Sequence, residues 1–319
     1  MDRKKLAIVV PCFNEEETLK SNITKLINTL ENLIQKSLIT QDSFICFIDD
    51  GSNDKTWELI ENSHNENPQK VKGIKFTKNF GNQNAIISGL QYVHKQNVDC
   101  AITIDADLQQ DVNKIEEFIK KYNNGIEIVY GIRKNRKSDG LIKKWTGYAF
   151  YKFMNLMGAK IIPNHSEFRL MSKKALETLA LYPERNLFLR GVFADTGLKS
   201  EFVEFEVKKR ETGKSKFCTI SLLKLAAEGI TSFSVRPLRL IFFAGILVSM
   251  ISISWGCWTL YRLLNDLPAK IGNVDYYEIF EMFMSGIQML FIGIIGEYIG
   301  QILQEVKGRP RSIVEKELG

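Results

Sequence analysis

The 319-residue chain reads as an α/β protein, a doubly wound parallel sheet followed by two membrane-spanning helices. Two observations lead there. Over residues 6–133, short continuous apolar runs alternate with segments of helical length. That is the pattern of parallel strands buried on both faces, with crossover helices between them. Beyond residue 236 come two long apolar stretches, the first without a charged residue from 240 to 261. About 20 mostly apolar residues suffice to cross a bilayer.

The first strand is residues 6–10, bounded by charge and by Pro11. The loop Pro11-Cys12-Phe13-Asn14-Glu15-Glu16-Glu17 leads into a helix from about Thr18. Asn14 has the chemistry of its cap, and the acids suit its positive N-terminal end. The second strand, 44–48, ends in Asp49-Asp50-Gly51-Ser52-Asn53-Asp54. There glycine permits a tight turn, and Ser or Asp can cap a helix starting near Lys55. Such an element can present carboxylates to a ribose or base; it can equally be only a turn and a cap. The third strand, 71–76, precedes Thr77-Lys78-Asn79-Phe80-Gly81 and a helix over 85–95.

The fourth strand, 99–104, delivers Asp105-Ala106-Asp107-Leu108-Gln109 to a carboxyl end, where ligands sit in open α/β sheets. Two carboxylates one residue apart repel unless a cation neutralises them, and hard oxygen ligands with a diphosphate suit Mg2+ or Mn2+. Alone, Asp-x-Asp is also what solvated loop acids look like. A helix over 112–122, a strand over 126–130 and the turn Gly131-Ile132-Arg133 complete the series.

Composition narrows the classes. A make-up 45% apolar and 25% charged is enough for a sizeable core. The net charge of +6 is mild, and no nucleic-acid partner is expected. Cys12, Cys46, Cys100, Cys218 and Cys257 are odd in number and lack a Cys-x-x-Cys pair. That argues against a disulfide framework or a zinc site and for a reducing compartment. His64, His94 and His165 show no metal-ligand spacing. A Walker loop and a Gly-x-Gly-x-x-Gly after the first strand are both missing, so the usual ATP and dinucleotide signatures are absent. The opening apolar run is too short for a signal peptide.

Residues 133–144 are dense in Arg and Lys, and 145–157 are aromatic-rich. The segment 133–160 is therefore either a solvated basic loop or an interfacial one that attracts anionic head groups. Further cations lie in Arg210-Glu211-Thr212-Gly213-Lys214-Ser215-Lys216. The expected layout is a cytoplasmic domain over 1–235, two spans within 236–304 (about 239–262 and about 279–302) and a basic cytoplasmic tail over 305–319. Arg236 and Arg239 precede the spans, and Lys307, Arg309 and Arg311 follow them. The positive-inside rule then puts the domain and the C-terminus in the cytoplasm.

Taken in order, Pro11-x-Phe13-Asn14-Glu15, Asp49-Asp50-Gly51-Ser52, Asn79-Phe80-Gly81, Asp105-Ala106-Asp107-Leu108-Gln109 and Phe168-Arg169-Leu170 resemble the family 2 glycosyltransferases. More narrowly, they resemble the polyprenyl-phosphate branch, similar to dolichol-phosphate mannosyltransferases. Glu184-Arg185-Asn186-Leu187-Phe188, Pro237-Leu238-Arg239 and Gly296-Glu297-Tyr298-Ile299-Gly300 bring the likeness closer to bactoprenol glucosyltransferases. The resemblance implies a Rossmann-like, glycosyltransferase A-type domain. It implies that Pro11, Phe13, Glu15, Ile48 and Asp50 hold the base and ribose. Asp105 and Asp107, with Ala106 and Gln109 in the same donor site and Gln109 beside the ion, would carry Mg2+ or Mn2+ on the diphosphate. Arg133, Arg210 and Lys216 match phosphate-binding cations, for donor or acceptor.

The implied reaction is an inverting transfer of a hexose from a UDP-sugar to undecaprenyl phosphate in the inner membrane. Glucose is the first choice of sugar, with galactose, N-acetylhexosamine, or mannose from GDP-mannose as alternatives. The product would be a lipid-linked sugar for surface polysaccharide or lipopolysaccharide modification, with a flippase and a downstream transferase as pathway partners. A homo-oligomer is compatible with the branch. Two departures stand out: Ser166-Glu167 where relatives read Gly-Asp, and Gln110-Asp111-Val112 where they read Asp-Pro-Pro. Glu167 would orient the acceptor or act as base from about one methylene farther out. A processive polysaccharide synthase would carry Gln-x-x-Arg-Trp, which is absent. A non-catalytic scaffold would have lost Asp50, Asp105 and Asp107, which are present.

Overall fold

The computed structural model describes residues 3–134, 152, 157, 165–185, 187, 189–207, 234–265 and 274–319. Its strands are β1 (Leu6–Cys12), β2 (Phe44–Asp49), β3 (Val71–Phe76), β4 (Cys100–Thr103), β5 (Ile128–Arg133), β6 (His165–Ser172), β7 (Ser200–Phe205) and β8 (Val314–Leu318). Between them run α1 (Glu16–Gln35), α2 (Thr56–Glu66), α3 (Asn82–Lys95), α4 (Lys114–Asn123), α5 (Lys173–Ala180) and α6 (Leu189–Asp195). Two long helices, α7 (Arg236–Leu264) and α8 (Val274–Val306), precede β8.

The strands form one sheet in the order β7-β5-β6-β4-β1-β2-β3-β8. Strands β4, β1, β2 and β3 are parallel neighbours, as the continuous apolar runs of β1, β2 and β4 and the crossover helices imply. The expectation of an all-parallel sheet is corrected at two places. Strand β6 inserts antiparallel between β4 and β5, and β8 pairs antiparallel with β3.

Along β1 the side chains alternate between two cores. Leu6, Ile8 and Val10 pack with Leu19, Ile23 and Leu26 of α1, Trp57 and Ile60 of α2, and Ile115 and Phe118 of α4. Ala7 and Val9 pack on the opposite face with Ile86, Ile87 and Leu90 of α3, Leu176 of α5 and Phe193 of α6. Each large aliphatic or aromatic group buried this way contributes about 1.5–3 kcal/mol relative to exposure. The two-layer cover holds the carboxyl ends of β1, β2 and β4 together at one rim.

The C-terminal helices leave large apolar side chains facing outward, among them Phe242, Phe243, Ile253, Met289 and Ile292. Among the described residues one stretch, Phe283–Val306, is long and apolar enough to cross a membrane by length and composition. Its 24 residues rise about 36 Å, against a hydrocarbon core of about 30 Å. The expected span of 279–302 falls within α8, which continues past Glu297 to Val306.

After α8 the chain returns to the domain, so the tail expected over 305–319 is a structured part of the sheet. Glu305 accepts from the backbone N–H of Arg185 at 2.7 Å, and Arg185 donates to the Arg309 carbonyl at 3.4 Å. Arg311 donates to the carbonyls of Tyr182, at 3.2 Å, and Glu184. Ser312 meets Ser88 at 2.8 Å, and the Ile313 carbonyl accepts from Thr77 N–H at 3.1 Å. The side chain of Tyr92 closes the series on the Gly319 carbonyl at 3.0 Å. Arg311, one of the charges expected to orient the spans, keeps its charge while donating to these carbonyls.

Candidate active site

The β1–α1 and β2–α2 loops are stitched together before any ligand arrives. Asn14 sits at φ 52, a left-handed conformation that Asn tolerates better than most residues. Its N–H donates to Ser52 Oγ and its Oδ1 accepts from Asn53 N–H, each at 2.9 Å. Asn14 therefore bridges two loops and does not cap α1, the role expected of it. The cap comes from the other loop. Thr56 Oγ1 accepts from Glu15 N–H at 2.9 Å, and Asp54 Oδ2 from Glu16 N–H at 3.1 Å. The other oxygen of Asp54 takes Thr56 N–H at 3.0 Å, so one carboxylate serves the starts of both helices.

Asp50 ties in a third loop. It is buried, and its two oxygens accept from Phe80 N–H at 2.7 Å and Gly81 N–H at 2.9 Å, at the start of α3. Burial nonetheless pushes its carboxyl above the ordinary range. Asp49, fully buried, accepts at Oδ1 from the N–H and hydroxyl of Ser52. Its Oδ2 is buried without a partner. Of the other residues expected at the donor, Phe13 and Glu15 are half-buried on the rim, and Pro11 is buried at the end of β1. The side chain of Ile48 is fully buried in the core with α3, so its backbone is what lies at the end of β2.

Strand β4 ends at Thr103 and Asp105 opens a tight turn. Leu108 N–H donates to the Asp105 carbonyl at 3.1 Å while Leu108 holds φ 44, a conformation unfavourable for a branched aliphatic residue. The turn is braced from α1, where Asn22 Nδ2 donates to the Ala106 carbonyl at 2.9 Å. Gln109 N–H donates to Asp107 Oδ1 at 3.2 Å. Buried Gln110 donates its amide N–H to Asp105 Oδ2.

Asp105 feels all the nearby charge. Burial first, then the charges of Asp107 and Glu167, push its carboxyl up to about 6, opposed by the Gln110 bond and by Arg133. A cation at this rim removes that repulsion, so the donor chemistry fits a divalent metal ion. Among the described residues no three His, Cys, Asp or Glu side chains converge as a metal-binding group. The chain would supply two carboxylates and leave further positions to diphosphate oxygens and water, as suits Mg2+.

Glu167 is the acid of the departing Ser166-Glu167 pair. Its carboxylate pairs with Arg169, whose side chain is 1% exposed. Arg169 also donates to the Leu189 carbonyl at 3.4 Å and lies 5.2 Å over the Phe193 ring. Read as a sequence motif, Phe168-Arg169-Leu170 names no partner for Arg169. Alternation along β6 is the signal that could have found one, since a charge within an apolar strand must be paired. Arg133, at the end of β5, is exposed. Arg210, Lys216 and most of the segment 133–160 lie outside the described residues.

Comparison with known proteins converges on one family. Residues 7–180, more than half of the chain, match the model of glycosyl transferase family 2. An uncharacterized glycosyltransferase of Bacillus subtilis, YkoT, is 44% identical, covering 98% of this chain and 92% of its own length. The SfII prophage-derived bactoprenol glucosyl transferase of Shigella flexneri is 37% identical, with 98% of each chain covered. A prophage bactoprenol glucosyl transferase homolog of Escherichia coli is 36% identical, over 98% of this chain and 99% of its own. With interlocked loops at the rim of a mixed α/β sheet and an acidic turn beside them, the chain belongs to glycosyl transferase family 2.

Proposed function

We propose that the chain is a membrane-bound inverting hexosyltransferase, moving glucose from UDP-glucose to undecaprenyl phosphate at the cytoplasmic leaflet of the bacterial inner membrane. The observation that carries this reading is the acidic rim, where Asp105 sits in the field of Asp107 and Glu167. Relatives of nearly equal length named as bactoprenol glucosyl transferases support the acceptor class.

Asp105 and Asp107, with Gln109 beside them, would hold Mg2+ or Mn2+ against the donor diphosphate. When bound, the ion offsets charge developing on the leaving nucleoside diphosphate. Phe13 and Glu15 would line the base and ribose, while Asp50 acts by fixing the loop at Phe80 and Gly81. Arg133, with Arg210 and Lys216, would meet phosphate oxygens. An acceptor phosphate oxygen forms a bond to C1 of the sugar as the C1–O bond to the diphosphate breaks, its electron pair leaving with the nucleoside diphosphate. A phosphate monoester has a second pKa near ~6, so the attacking oxygen carries no proton at neutral pH. No strong general base is needed, and Glu167, held by Arg169, serves to orient.

The sheet supports two crossings. In this reading α7 and α8 cross as a pair, which the return of the chain to the sheet through β8 after α8 supports. With Phe283–Val306 as one span, α7 is the other, and Arg236, Arg239, Lys307 and Arg309 face the cytoplasm. The product, a sugar on a lipid phosphate, would then need a flippase and a second transferase.

The test offers membranes holding the protein a panel of labelled UDP- and GDP-sugars with undecaprenyl phosphate and Mn2+ or Mg2+. Metal-dependent label in lipid from UDP-glucose, lost in Asp107→Ala, is the expected result. No transfer from any donor sinks the proposal; transfer from GDP-mannose alone replaces the donor.

A further inference from the structure

Gln110 has no place in the mechanism above, yet it is built into its centre. It is 2% exposed, and it stands where the resembled family reads an acid. Its amide N–H donates to Asp105 Oδ2, while its own carbonyl oxygen Oε1 is buried with no partner. A buried carbonyl without a donor is a cost. Turning the amide over would aim that oxygen at a carboxylate and leave the N–H unpaired, which is worse. The orientation is therefore dictated by Asp105.

We infer that Gln110 is the positioning residue for Asp105: its N–H pins Oδ2 and turns Oδ1 toward the cation and the donor diphosphate. The inference rests on the metal role given to Asp105 above. Three features make the pin consequential. Asp105 follows the end of β4, so the ladder does not fix it. Its backbone turn is held through Leu108 at positive φ, and the carbonyl of Ala106 by Asn22. Those bonds place the main chain, whereas the Gln110 bond places the carboxylate itself. An amide at this position also adds no fourth negative charge beside Asp105, Asp107 and Glu167.

The experiment uses the full-length protein in detergent with UDP and no acceptor. Free Mn2+ is read by electron paramagnetic resonance for the wild type, Gln110→Met and Gln110→Asn. Met keeps the volume and removes the donor; Asn keeps the amide on a side chain too short to reach Oδ2. The expected result is an Mn2+ dissociation constant about tenfold higher in both, as for loss of a bond to a charged group, with thermal unfolding near that of the wild type. In transfer assays the Mn2+ concentration for half-activation should rise in parallel, with KM for undecaprenyl phosphate unchanged. A folded variant binding Mn2+ within twofold of wild type overturns the inference, and if Met does not fold, Asn decides. Wild-type protein that binds no Mn2+ overturns the metal reading beneath it, a distinct outcome.

Discussion

Replacing Gly51 with alanine probes the lock between the three loops. Gly51 has φ +68, and a Cβ there would lie 2.3 Å from the Lys78 carbonyl carbon, 2.6 Å from Lys78 Cα and 2.7 Å from Asn79 N. All three are backbone atoms in the segment whose next amides, Phe80 and Gly81, are held by Asp50. They cannot swing aside as a side-chain tip can. Gly197 supplies the control, with φ +67 and nothing within 4 Å of where a methyl group would stand. Alanine at either site bears the left-handed backbone cost of about 1–2 kcal/mol. At Gly51 alone it adds an overpacking cost of about 1–3 kcal/mol. For a domain of this size about 1 kcal/mol shifts the midpoint by about 2–4 °C. Gly51→Ala should therefore melt roughly 6 °C below Gly197→Ala, from the middle of both ranges. Thermal unfolding in one detergent, followed by circular dichroism, reads the gap. UDP affinity should fall in Gly51→Ala and hold in Gly197→Ala. Equal midpoints and equal UDP affinity would refute the lock.

Two further outcomes follow from the same geometry. Asp105 titrates near about 6 in the folded chain against an ordinary 3.8, so the folded state holds its proton more tightly than the unfolded state. Stability of the metal-free protein should fall as pH rises from about 4 to about 6 through this group, and Asp105→Asn should flatten that segment of a denaturation-versus-pH series. Removing residues 312–319 strips β8 from β3, together with the Ser88–Ser312 and Tyr92–Gly319 bonds. The truncated chain should melt several degrees lower and aggregate through the bared β3 edge, which size-exclusion chromatography in detergent would show; an unchanged profile and midpoint would refute the role given to β8.

Strands β1, β2 and β4 were legible because each is largely a continuous apolar run buried on both faces, and that signal is local. Strands β6 and β8 were not. The first carries Glu167 and Arg169, and the second reads Val-Glu-Lys-Glu-Leu. Neither shows an apolar run, and their pairing partners are distant in sequence. At the site, Asp105 and Asp107 could be found from the strand they end. Asp54, Asn22 and Gln110 could not, because their roles depend on which loops meet. The side-chain direction of Ile48 follows from alternation: its neighbour Phe47 packs in the core with α1, and Ile48 in the core with α3.

The last strand also sets a clock on synthesis. Lys75 of β3 and its ion-pair partner Glu315 of β8 are 240 residues apart. At about 5–20 residues per second a ribosome needs about 12–48 s between them. Throughout that interval β3 is an open edge, and its natural partner cannot dock until α7 and α8 have been made. The nascent domain is therefore one strand short until both long helices are complete. A chaperone that shields unpaired strands, or slow pairing with another nascent chain, has its opening there. The same arrangement makes the final eight residues a checkpoint: a chain that ends early never closes its sheet.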